Sequence, residues 1–224
     1  FTGDAGSGES NARRYLIEND FVEAIIALPD KMFYNTPLNT YIWVVSNKKE
    51  DRRKGKIQLI DAMAMKKPLR KKLGDKSNEL TPEFRKQIVD VFLSFEESDI
   101  SHIYKNEEFG FWEITVMRPK YREDGSVETD KKGNRVSDKD KTYTEIVPFT
   151  YTGGIEEYFN NEILPFSDDA WIDDKKTKIG YEVSFTKCFY RPLHLRTFEE
   201  VMDELHALEQ ETDGMFNEIT GGIR

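Results

Sequence analysis

Apolar and polar positions divide the first half of the chain into short elements. Residues 22–28, VEAIIAL, form a nearly continuous apolar run closed by Pro29, the pattern of a buried strand. Residues 40–46 are β-branched and aromatic and predict a second strand. A charged turn follows, and KIQLID at 56–61 predicts a third. Ahead of these, GDAGSGES at 3–10 reads as a flexible loop, with Ser10 as N-cap of a helix over 11–19. Thr81 followed by Pro82 marks another helix start, and Phe84, Ile88, Val91, Phe92 and Phe95 fall on one face of that helix.

The second half is less regular until its end. Residues 109–117 are strand-like, 155–164 predict a helix, and 178–190 read as extended. Between them, 119–142 is mostly charged, with turn signals at Asp124-Gly125 and Lys132-Gly133-Asn134, and predicts a surface hairpin or an insertion. At the C-terminus Phe198, Val201, Leu205, Leu208, Thr212, Met215 and Ile219 recur at three- and four-residue spacing, a heptad seam with the acidic residues off it. Such a stripe either packs on its own domain or docks onto helices of a partner. Thr212 and Gly214 interrupt it, which disfavours an isolated coiled coil.

Composition narrows the class. A hydrophobic fraction of 38% and an aromatic fraction of 12% can fill a core in a chain of 224 residues. Cys188 is the single cysteine, so no disulfide framework or cysteine-based zinc site can form, in keeping with a cytoplasmic setting. The chain opens at Phe1 without a start methionine and is expected to be a piece of a longer protein. Net charge is −9, which excludes a chain that holds nucleic acid through an overall basic surface. Two basic clusters stand out locally: Lys48, Lys49, Arg52, Arg53, Lys54 and Lys56, then Lys66, Lys67, Arg70, Lys71 and Lys72. Each reads either as a solvated turn or helix face or as a phosphate-contacting edge within a larger assembly.

Catalytic chemistry is sparse. His102, His194 and His206 are widely spaced and form no metal-ligand pair. Gly3-x-x-Gly6-x-Gly8 fits neither the dinucleotide nor the P-loop spacing. Asp168, Asp169, Asp173 and Asp174 surround Trp171 as solvated turns do, and Pro29-Asp30 lacks the nearby acidic-x-Lys pair of a nuclease metal site. No metal site is expected. The informative stretch is MFYNTPLNTYIWVV at 32–45, which sets Phe33, Tyr34 and Asn35 at the mouth of two strands. Open α/β sheets bind ligands at the carboxyl ends of their strands. An aromatic there reads as a core lid, or as a platform for a flat ligand such as an unstacked base.

Four blocks carry a resemblance: GDAGSGESNARRYLIEND, FVEAIIALPDKMFYNTPLNTYIWVVSNKK, RKGKIQLIDA and GYEVSFTKCFY. They resemble the modification subunit of type I restriction–modification systems, a family of adenine-specific DNA methyltransferases that use S-adenosylmethionine. The likeness runs from residue 1 to at least 114 and resumes over about 178–220. The resemblance implies an α/β fold: the terminal part of a Rossmann-like methyltransferase sheet with an antiparallel last hairpin, then an α+β region and a C-terminal helix. Residues 1–65 would be the C-terminal piece of the catalytic domain, 66–196 an accessory region containing 119–142, and 197–224 the amphipathic helix.

In the related enzymes the loop of that hairpin stacks an aromatic on the flipped target base. Phe33 takes that place by position, Tyr34 is the alternative, and Asn35 would read the base edge. The family's glycine loop for the methyl donor and its N-P-P-F/Y tetrad do not appear, so both are expected upstream of Phe1. The piece itself is then expected to be inactive and to bind no S-adenosylmethionine. DNA, a specificity subunit and a restriction subunit are the implied partners, with Phe198, Val201, Leu205, Leu208, Met215 and Ile219 as the docking seam. A non-enzymatic docking module and an unrelated nuclease fragment are the alternative readings.

Overall fold

A computed structural model describes the backbone of residues 4–190 and 197–221, and the side chains of 4–190, 197–208 and 212. Phe1, Gly3 and His194, with the side chains of Met215 and Ile219, lie outside the described residues. The chain divides into two units, Phe1–Phe189 and Tyr190–Arg224.

In chain order the first unit contains α1 (Gly8–Glu18), β1 (Val22–Ala27), β2 (Tyr41–Val45), β3 (Lys56–Asp61), β4 (Lys67–Leu73), β5 (Lys76–Glu79), α2 (Pro82–Ser94) and β6 (Ser101–Lys105). It continues with β7 (Gly110–Met117), β8 (Tyr143–Pro148), α3 (Gly154–Tyr158), β9 (Trp171–Ile172), β10 (Lys178–Tyr181) and the short α4 (Phe185–Cys188). The second unit carries α5 (Phe198–Gly221).

One sheet has the order β2-β1-β3-β6. β1 runs antiparallel to β2, with Ile25 opposite Trp43, and parallel to β3, with Ile25 opposite Leu59. Flanked by strands on both edges and covered on both faces, β1 needs apolar side chains throughout, hence its unbroken run. A second sheet is ordered β10-β7-β8, with β9 also on β7, and β4 and β5 form a separate hairpin.

One core joins Ile17, Val22, Ile25, Ile57 and Leu59 to Phe109, Tyr181, Val183 and Phe185, so both sides of position 65 build it. Another packs Ile26, Leu28 and Ile60 under Ile88, with Phe84, Val91 and Phe92 against it. Thr81 caps α2, accepting from the Phe84 N–H at 3.3 Å, with Pro82 first in the helix.

Several boundaries correct the sequence reading. α1 begins earlier, capped by Ser7, whose Oγ accepts from the Ser10 N–H at 3.2 Å. Ser10 is buried instead, and its Oγ accepts from the Tyr181 N–H at 3.2 Å. Arg13 Nε donates to the Tyr181 carbonyl at 2.7 Å, so this face of α1 is held against β10. The segment expected to stay extended over 178–190 stops at Tyr181 and turns into α4, capped by Ser184. The helix expected over 155–164 is α3 followed by a π-turn, Phe159–Ile163. Residues 119–137 form small turns closed by bridges such as Tyr121 to Val127 and Thr129 to Arg135. Among the described residues no helix is long and apolar enough to cross a membrane.

Candidate functional site

The loop between β1 and β2 leaves the end of β1 that β3 shares, since the two strands are parallel. Phe33 and Thr36 pair across a tight turn whose corners are Tyr34 and Asn35. Phe33 is 48% exposed and Tyr34 58%; Asn35 is exposed too. Two large exposed rings thus share one turn. With about half of each ring in solvent and neither packed in a core cluster, they are not a core lid.

The β4–β5 hairpin buttresses this turn. The Asp75 N–H donates to the Tyr34 carbonyl at 3.0 Å, and the Ser77 and Asn78 N–H groups donate to the Lys31 carbonyl at 3.1 and 3.3 Å. Lys31 takes a left-handed backbone, φ 54°, which turns that carbonyl toward the hairpin. Gly74 has φ 62°, and a Cβ there would stand 2.7 Å from the Tyr34 carbonyl oxygen, so only glycine permits the approach. Lys76 Nζ lies 5.6 Å from the centre of the Tyr34 ring. Asn78 is buried and donates to the Asp30 carbonyl at 3.0 Å. None of these supports was read from the sequence; the Leu-Gly-Asp-Lys turn at 73–76 was the available signal.

The other candidates are occupied structurally. Lys66 Nζ sits 2.6 Å from the Asp30 carboxylate and, by that hydrogen bond, holds its pKa below the usual range. Asp169 pairs with Arg118 at 2.9 Å and accepts from the Tyr121 hydroxyl. His102 lies 3.2 Å from Glu97 and packs on Phe189. His206 lies on α5, exposed. Among the described residues no group of three or more His, Cys, Asp or Glu is placed to hold a metal.

Within the glycine-rich loop, Ser7 caps α1, and Gly6 has φ 82° with its would-be Cβ 3.4 Å from the Lys178 side chain, in contact.

An antiparallel hairpin with an aromatic loop, joined to a parallel strand, occupies residues that match a known family. The N-6 DNA Methylase pattern matches residues 4–115, and the chain belongs to that family. Among curated relatives, it is similar to the type I restriction enzyme MjaIX methylase subunit of Methanocaldococcus jannaschii, 38% identical over 113 residues. That alignment covers 50% of this chain and 19% of the relative. It is also similar to the MpnII methylase subunit of Mycoplasma pneumoniae, 36% identical over 115 residues, covering 51% of this chain and 18% of the relative. The chain thus spans about a fifth of the length of these relatives. A solved methyltransferase subunit of a type I restriction–modification system from Streptococcus thermophilus aligns at 23% identity and TM-score 0.40, over 46% of this chain and 21% of that one.

Proposed function

We propose that this chain is part of the adenine-methylating subunit of a type I restriction–modification complex, and that its β1–β2 loop is one wall of the pocket for an extruded adenine. The observation that carries the reading is the exposed Phe33–Tyr34 turn at the carboxyl end of β1, inside the family-matched segment. β1, β2 and β3 are then the closing strands of a Rossmann-like sheet. Residues 1–65 belong to the catalytic domain and 66–196 to an accessory region. Phe33 is the stacking ring, because Lys76 stands over Tyr34, whereas no cation stands over Phe33 among the described residues. Asn35, at the next corner, offers an amide to the base edge.

S-adenosylmethionine is the methyl donor used across this family, and it would be held by residues outside this chain. DNA, the specificity subunit and the restriction subunit are the partners, in a cytoplasmic complex. In the full-length enzyme, Phe33→Ala removes base stacking, a loss of about 1–3 kcal/mol. Methyl transfer then falls roughly ten- to hundredfold. Tritium transfer from labelled donor to plasmid DNA is the measurement. Unchanged transfer by Phe33→Ala and by Tyr34→Ala would refute the assignment.

A further inference from the structure

The structure separates the two basic clusters that the sequence left equivalent. Four of the six residues of the first are engaged within the fold, while Lys48 and Lys56 stay exposed at separate places on it. Lys49, side chain 2% exposed, lies 2.6 Å from Asp20 and donates to the Lys56 carbonyl. Arg53, equally buried, is sandwiched between the Phe92 and Phe95 rings at 4.3 and 4.4 Å. Arg52 donates to the Leu93 and Ser94 carbonyls at the end of α2, and Lys54 pairs with Asp51 at 2.6 Å.

The second cluster is left free where it matters. Lys66 and Lys67 pair with Asp30 and Glu79. Arg70, Lys71 and Lys72 are exposed and, among the described residues, enter no ion pair. They also sit on an irregularity of the ladder. Pro68 pairs with Asn78 and Leu73 with Lys76, so the four residues 69–72 stand opposite Ser77 alone. A bulge of this kind lifts side chains off the ladder and re-aims them. The turn of the same hairpin is hydrogen-bonded to the Tyr34 carbonyl. With a strand rise of about 3.3 Å per residue, the three cations stand roughly 5–15 Å from the aromatic turn.

We propose that the bulged β4 segment carrying Arg70, Lys71 and Lys72 grips the phosphates of a DNA strand within a few nucleotides of the base presented to Phe33. The proposal rests on the reading of this chain as part of a DNA methylase. Three unpaired cations on a chain of net charge −9 mark a local anion contact, not a general footprint. Phosphates carry no sequence information, so the grip sets position along the strand and not the sequence read.

The test uses the full-length subunit assembled with its specificity partner and a fluorescein-labelled duplex. Affinity is followed against sodium chloride concentration for the wild type and for Arg70→Ala/Lys71→Ala/Lys72→Ala. Each lost phosphate contact removes about 0.9 from the slope of log affinity on log salt, so the triple variant's slope falls by roughly 2–3. The same decrease is expected on cognate and non-cognate duplexes. Should the triple variant not assemble, Lys71→Gln alone reads out a decrease of about 0.9. A folded, assembled variant with the wild-type slope overturns the proposal. So does a variant that loses the specificity subunit while its DNA slope stays, which would give the hairpin to an acidic protein surface. The base-pocket reading fails separately: 2-aminopurine at the target adenine would then brighten equally with wild type and Phe33→Ala.

Discussion

At the scale of single residues, two buried groups illustrate how much of the charge in this chain is structural. Arg53 fills the space between Phe92 and Phe95, donates to Gln58 and to the Phe92 carbonyl, and lies 3.9 Å from Glu23. Phe95 adopts a left-handed conformation, φ 53°, to reach it. Arg53→Ala leaves Glu23 and Gln58 without their cation and is expected to cost about 3–5 kcal/mol of stability, read as a fall in the urea midpoint. Asp20 behaves differently with pH. Burial pushes its carboxyl up, but hydrogen bonds from Lys49, Gly55 and Asn106 outweigh it and hold the pKa below the usual range. A lowered carboxyl stabilises the fold above its unfolded value, about 4, and that stability is lost as pH falls through the folded value. Asp20→Asn, which suits the left-handed backbone at φ 56°, should therefore be less stable than wild type by about 1.5–3 kcal/mol near neutral pH. The gap should close below about pH 4, and urea midpoints across pH that keep it constant would contradict this.

At the scale of elements, periodicity made some parts legible and polarity hid others. β3 matched its expected bounds because KIQLID is buried on both sides, and β1 and β2 differed only at their ends. The β4–β5 hairpin was invisible: KPLRKKL has no alternation because nearly every residue of it is exposed. It is held by main-chain bonds to the aromatic loop, which leave no side-chain pattern. α1 was misplaced by three residues because Ser7 and Ser10 are equally good caps, and only the distant Tyr181 decides between them. For the candidate site, Phe33, Tyr34 and Asn35 were readable as a loop, whereas their support came from residues forty positions later. That support hinges on Gly74. Gly74→Ala forces a strained backbone and a clash with the Tyr34 carbonyl, at about 1–3 kcal/mol. Its expected signature is faster amide exchange at Asp75 and Ser77, with β1 and β3 protected as before.

At the scale of the whole molecule, α5 poses the remaining question of assembly. Phe198 is 79% exposed, Leu205 48% and Leu208 58%, an apolar stripe facing water along the described part of the helix. Replacing Leu205 and Leu208 with Asp in the full-length subunit should weaken capture of the specificity subunit by about 2–4 kcal/mol if the seam is the interface. Assembly at wild-type affinity by the folded double variant would assign the docking surface elsewhere.

The core shared by α1, β1, β3 and β10 bears on how such chains can be recombined. The family pattern matches residues 4–115, yet Ile17, Ile25 and Leu59 are covered by Tyr181, Val183 and Phe185. A crossover at the edge of the recognisable segment would cut through a packed interior, not between modules. Hybrids that join residues 1–115 to a relative's downstream sequence should be recovered as insoluble protein, and those that also keep residues 178–189 of the same parent as soluble protein.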